Sequence, residues 1–190
     1  MWDTLDLNLF LTQHCYECSG FAWREHSHNL PPSGEYRGIG DYNFGQLLEG
    51  VDFNWYAVSV TDYPEGNYPH FKVVLESEVD RDDRLLRGEI MTIADIMTAR
   101  LKPQLPLEHT IAPVRPPWWI HNAPLTSQST LVFSFMGPRH ARVLGADLDG
   151  EILHTRASKL YDFTQKNTDV VQLLTRYWLG GACGRTVMKT

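Results

Sequence analysis

Two runs of alternating apolar and polar residues, Arg142 to Leu148 and Glu151 to Ala157, meet at the dipeptide Asp149-Gly150. Asp-Gly between alternating runs suits a type I′ turn, whose two central residues need positive φ, so the chain must build an antiparallel sheet here. A turn at Asp149-Gly150 sets Leu148 opposite Glu151, Asp147 opposite Ile152, Gly145 opposite His154 and Val143 opposite Arg156. Leu144, Ala146, Leu148, Leu153 and Ala157 then share an apolar face, while Gly145, Asp147, His154 and Arg156 share the other. Ser129 to Met136 precedes the hairpin across Gly137-Pro138, which predicts a meander of three antiparallel strands.

Two further strands are legible upstream. Phe53 to Val60 is rich in aromatic and β-branched residues and reads as buried on both sides. In Phe71 to Val79, Lys72, Glu76 and Glu78 alternate with apolar residues, as in a half-solvated antiparallel strand. Leu86, Ile90, Ile93, Met97 and Leu101 recur at helical steps, predicting a central helix over about 83–101, capped by Asp82 or Asp83 and stopped by Pro103. A last helix runs from about Asn167 to Leu179, with Val170, Val171, Leu174, Tyr177 and Trp178 inward and Gly180-Gly181 ending it. Residues 1–50, crowded with His, Gly, Pro and Asn, read as loop apart from a helical turn at Asn43 to Leu48, and the proline-rich stretch 103–126 reads as extended rim. Strands in two groups with two helices packed on them predict an α+β fold on an antiparallel sheet, one domain over 1–190.

Composition narrows the function. Seventeen Lys and Arg against 23 Asp and Glu leave a net charge of −6, which disfavours a nucleic-acid partner. No long apolar run is present and the first six residues carry two acids and no base, so the expectation is a cytoplasmic protein without a membrane span. Three cysteines do not make a secreted disulfide framework. No phosphate-binding Gly-x-x-x-x-Gly-Lys loop, dinucleotide fingerprint or Gly-x-Ser-x-Gly elbow occurs.

Three constellations bear on chemistry. Cys15, Cys18, His26 and His28 place four metal-ligating side chains within fourteen residues of expected loop, a candidate structural zinc clasp with His14 as a substitute ligand; the competing reading is two reduced cysteines beside surface histidines. On the polar face of the hairpin, Asp147 beside His154 is the arrangement of a carboxylate-oriented general base, with Gly145 leaving room for a ligand; the competing reading is an exposed ion pair. Trp118, Trp119 and His121, with Tyr161, Arg156 and the rings of Trp23, Trp55, Phe163 and Trp178, offer aromatic walls for an apolar molecule or ordinary core. His121, then His109 and His140, stand behind His154 as candidate bases.

His109 to Val114, Phe135 to Val143, Ser158 to Phe163 and Lys166-Asn167 together resemble small uncharacterised proteins of filamentous fungi, over the C-terminal half of the chain. The resemblance implies a eukaryotic, fungal, intracellular protein, an accessory enzyme of specialised metabolism, and no transferable catalytic residue. Two functional expectations result. One is a small cofactor-independent enzyme of cyclase or isomerase type, holding an apolar small molecule while His154, aided by Asp147, moves a proton. The other is a non-enzymatic interaction protein with a zinc-stabilised N-terminal region and the Trp118-Trp119 loop as partner surface. Neither reading fixes a substrate or an oligomeric state.

Overall fold

The structure, a computed structural model, describes residues 4–26, 35–37, 54–63, 68–101, 128–149 and 152–180. In chain order these form α1 (Thr4–His26), β1 (Glu35–Arg37), β2 (Trp55–Tyr63), β3 (Tyr68–Asp80), α2 (Arg87–Leu101), β4 (Gln128–Gly137), β5 (His140–Asp149), β6 (Ile152–Ala157), β7 (Tyr161–Asp162) and α3 (Thr168–Leu179). The fold is α+β, as the sequence predicts. Six strands lie in the order β1-β2-β3-β4-β5-β6, with β7 added against β5. Every strand pair is antiparallel except β3 with β4, which run parallel. A parallel neighbour needs a crossover, and α2 lies within it.

That crossover buries the middle of the sheet. One core joins Trp55, Val60, Val73, Leu75, Val132 and Leu144 to Ile93, Ile96 and Met97 of α2. A second core, on the opposite face, joins Val74, Phe133, Phe135 and Val143 to Leu7 and Leu11 of α1 and Leu174 of α3. Phe71 to Ser77 are therefore all buried, Lys72 and Glu76 included, which corrects the half-solvated reading of this strand. The strand keeps its alternation, but both of its faces are roofed by helices.

The helices also shift from expectation. α2 begins at Arg87 because Glu89 Oε2 accepts the Leu86 N–H at 2.8 Å, a capping contact from the third helical position, while Asp82 carries no such role. Its inward side chains are Glu89, Thr92, Ile93, Ile96 and Met97, and Ile90 is exposed. Gly88 sits in the first turn against Trp55; a Cβ there would lie 2.5 Å from the indole Cγ. α3 starts where predicted, with Asn167 Oδ1 accepting from Val170 N at 3.2 Å, but turns Thr175 inward and leaves Tyr177 exposed.

The largest departure is at the N-terminus, where Thr4–His26 is a helix of 23 residues rather than loop. Leu7, Leu11 and Cys15 fall at successive steps of four and pack inward, while Leu5, Leu9, Phe10, Tyr16 and Phe21 remain exposed. Apolar residues all round α1 blur its stripe. The helical turn expected at Asn43 to Leu48 and the proline-rich stretch 103–126 lie outside the described residues. Among the described residues, no helix is long and apolar enough to cross a membrane.

Candidate functional site

The β5–β6 hairpin sorts its faces as predicted, but its register differs. Asp149 pairs with Ile152, Leu148 with Leu153, Asp147 with His154 and Gly145 with Arg156, a shift of two residues from a turn at Asp149-Gly150. The observed register sets Leu148 directly against Leu153 and Leu144 against Ala157 on the apolar face, a better match than Leu153 against Ala146. His154 now stands opposite Asp147, yet Asp147 Oδ2 accepts from Arg156 Nη1 at 3.1 Å, and this pair is exposed. His154 is itself exposed and lines none of the main clefts among the described residues. The walled proton-transfer site expected around His154, Asp147 and Arg156 is therefore an open strand face.

Other expected residues scatter. Tyr161 is core rather than cleft, buried in the α1/α3-side cluster with the Lys159 ammonium 5.6 Å from its ring centroid. His140 is buried under the β4–β5 turn, where Nδ1 donates to Pro138 O at 2.6 Å and Nε2 lies 3.3 Å from Arg81 Nη1 and 3.9 Å from Asp162 Oδ1. Trp118, Trp119, His121, His109 and His28 lie outside the described residues, and His26 closes α1 with no described side chain. Cys15 and Cys18 sit one turn apart on a continuous helix, so the loop premise of the zinc clasp fails. Cys15 Sγ points inward to Thr175 Oγ1 at 3.8 Å, whereas Cys18 Sγ lies 3.7 Å from His14 Nε2. Among the described residues, no group of three or more His, Cys, Asp or Glu side chains is placed to hold a metal ion.

The structure instead gathers polar chemistry under α1. Glu76, 3% exposed, reaches up from β3. Asn8 of α1 donates to its Oε1 at 2.6 Å, and Tyr56, its cross-strand partner on β2, donates to its Oε2. Thr12 Oγ1 donates to Asn8 Oδ1 at 3.1 Å, which orients the Asn8 amide with its N–H toward Glu76. Tyr56 is 40% exposed and lines a cleft together with Glu76, so the network borders solvent there.

Two clefts meet beside this network. One, about 720 Å³, is lined by Tyr56, Glu76, Glu78, Asp80, Thr4 and Leu5 and ends at Arg139 and Thr164. The other, about 690 Å³, shares Arg139 and Thr164 and continues along Leu7, Phe10, His14 and Cys18 of α1, facing Phe163 and Val171. We call them the acidic arm and the apolar arm. Arg139, at their junction, adopts φ 56°, a left-handed conformation rare for an arginine, and its carbonyl accepts from Phe163 N at 2.9 Å. A third cleft of about 400 Å³ at the start of α2 has Arg87 as its one titratable side chain.

Two other buried polar groups serve the fold. Lys72, beneath α3, donates to Trp178 O and to Gly180 O at 2.6 Å, tying down the last carbonyls of that helix. Burial pushes its ammonium down to about 8, partly opposed by the Cys15 thiol, and burial pushes Cys15 up to about 11. On the other face, Arg142 uses all five N–H donors: two bonds to the Glu89 carboxylate, and one each to the carbonyls of Asp82 at 3.1 Å, Asp83 at 3.2 Å and Arg84 at 2.7 Å.

Chemically, the hydrogen-bonded Tyr56–Glu76 pair is an arrangement that can relay a proton. A proton taken up by the phenol oxygen is matched by transfer of the phenol proton to the carboxylate, with Asn8 steadying the acceptor. The pair is not visible in the sequence because the alternation around Glu76 reads as a solvent face. The usable signal was the order strand–helix–strand over 71–136, which implies a parallel pair roofed on both faces. Comparison with protein families, with characterised proteins and with solved structures finds no match for this chain.

Proposed function

We propose that the protein is a small cofactor-independent enzyme, of isomerase or cyclase type, that binds an apolar molecule in the apolar arm and moves a proton with Tyr56 and Glu76. The observation that carries this reading is the buried Glu76 carboxylate, bonded to Asn8 and Tyr56, opening through a half-exposed phenol into a cleft that continues between apolar walls. Leu7, Phe10, Phe163 and Val171 hold the apolar part by excluding water, and a cleft of this size takes a small molecule whole. The ligand's reacting end lies beside Tyr56, where Glu78 and Asp80 favour a hydroxyl or a positive charge over an anion. Holding a folded conformer of such a ligand beside one relay is enough for a rearrangement that needs a single proton moved.

Proton exchange with solvent tests this directly. Incubation of the protein in deuterated water with an organic extract of cells that produce it is expected to add deuterium to one or a few apolar compounds, read by mass spectrometry. Glu76→Gln and Tyr56→Phe are expected to lose that exchange, and His154→Ala to keep it. Exchange that survives both relay variants overturns the assignment.

A further inference from the structure

Two cysteines one turn apart on α1 have opposite surroundings. Cys15 is buried, bonded to Thr175, and held as an inert thiol by its desolvation. Cys18 instead lines the apolar arm with its Sγ 3.7 Å from His14 Nε2, and the His14 ring lies parallel to Phe10, within 11° and 6.2 Å between centroids. A thiol with an imidazole at hand is an activated nucleophile, and the cavity beside it selects which electrophiles reach it.

We infer that Cys18 is a covalent acceptor site for long apolar acyl groups delivered as thioesters of a soluble thiol. His14 takes the Cys18 proton, the sulfur attacks the thioester carbonyl carbon, a new C–S bond forms, and the old one breaks. The departing thiolate receives the proton back from His14, so the step is a thioester exchange with no net redox change. The acyl chain then lies along Phe10 and Leu7 toward Phe163 and Val171. From Cys18 to Leu7 the helix rises about 16 Å at 1.5 Å per residue, a length that matches a long chain and leaves a short one mostly unsupported. This goes beyond the proton-transfer reading and does not need Glu76 to take part.

The test is intact-mass spectrometry of the full chain incubated with palmitoyl-coenzyme A, and separately with acetyl-coenzyme A. One palmitoyl group per chain is expected, removable by neutral hydroxylamine, mapped to the peptide containing Cys18, absent from Cys18→Ser and retained in Cys183→Ser. Palmitoyl transfer is expected to outpace acetyl transfer at least about tenfold, and His14→Gln to slow it about a hundredfold with melting unchanged, the usual share of a general base. No adduct on the folded protein, an adduct mapping elsewhere, or equal rates for the two acyl groups would overturn the proposal. Because peptide mapping uses the unmodified sequence, the result stands even if a variant folds poorly. Glu76→Gln is expected to accept the acyl group normally, which separates this outcome from a failure of the proton relay.

Discussion

The two faces of the central sheet both bury charge, but they treat it differently. Beneath α2, the Arg142 guanidinium is 2% exposed and the Glu89 side chain 0%, and each donor of the arginine has a partner, three of them main-chain carbonyls of residues 82–84. No donor of the arginine is left over for a ligand. Beneath α1, Glu76 receives two hydrogen bonds, and one of them comes from a phenol that stands in a cleft. A carboxylate accepts about four hydrogen bonds, so this one, with two donors, keeps acceptor capacity. A closed polar network fixes geometry, whereas one with an exposed member can exchange protons, and this difference is why the proposed site is placed on the α1/α3 face.

Neutralising each carboxylate separates the two roles. Glu89→Gln leaves Arg142 charged and without its counterion in the interior, and is expected to cost about 3–5 kcal/mol. Urea unfolding followed by circular dichroism measures it, and a loss below about 1 kcal/mol would deny the pair its structural role. Glu76→Gln keeps the shape and most of the hydrogen bonding, so its stability should change by about 1 kcal/mol or less, while proton exchange on the ligand falls about a hundredfold. A Glu76→Gln protein that unfolds like Glu89→Gln would erase the distinction between the faces.

The α1/α3 face also carries a pH signature. Lys72 has a folded pKa near 8, below that of an exposed lysine, so between about pH 8 and 10.5 the unfolded chain binds more protons and stability rises with pH. Cys15 has the opposite sign. Its folded pKa near 11 lies above the ordinary thiol value of 9.0, so between those values the native state holds the extra proton and stability falls as pH rises. Melting temperature is therefore expected to rise from pH 8 to about 9, flatten as the two oppose, and fall above about 10.5. Lys72→Met should remove the rise and leave the fall, and a rise that persists in that variant would place its origin elsewhere.

The smallest effects belong to the hairpin. Arg156→Ala removes an exposed pair, with side chains 79% and 42% exposed for Arg156 and Asp147, and should change stability by no more than about 0.5 kcal/mol. His154→Ala should do no more. A large loss of proton exchange in either variant would return the site to the strand face.

Much of the fold was legible because its signals are local. The alternation and turn chemistry around 142–157 located β5, β6 and the composition of their faces, and Asn167 marked the start of α3. The two-residue slide in cross-strand pairing escaped because Asp-Gly speaks only for the loop, while the choice between registers rests on Leu148 against Leu153 across the strands. α1 escaped because its apolar residues encircle the helix, and its histidines and cysteines invited a loop reading. The site was least legible of all. Asn8, Tyr56 and Glu76 are far apart in sequence and ordinary one by one, and only the α2 crossover and the packing of α1 on β3 turn Glu76 from a surface carboxylate into a buried one.

The central claim, that the cleft beside α1 is where an apolar molecule binds, is tested most directly by methyl-resolved NMR of the full chain titrated with decanol. The account predicts saturable shifts in the methyl groups of Leu7 and Val171, with Ile93, Ile96 and Leu144 on the α2 face unmoved. Shifts concentrated on the α2 face or along Ile152 to Arg156, or no saturable shift in the cleft, would contradict it.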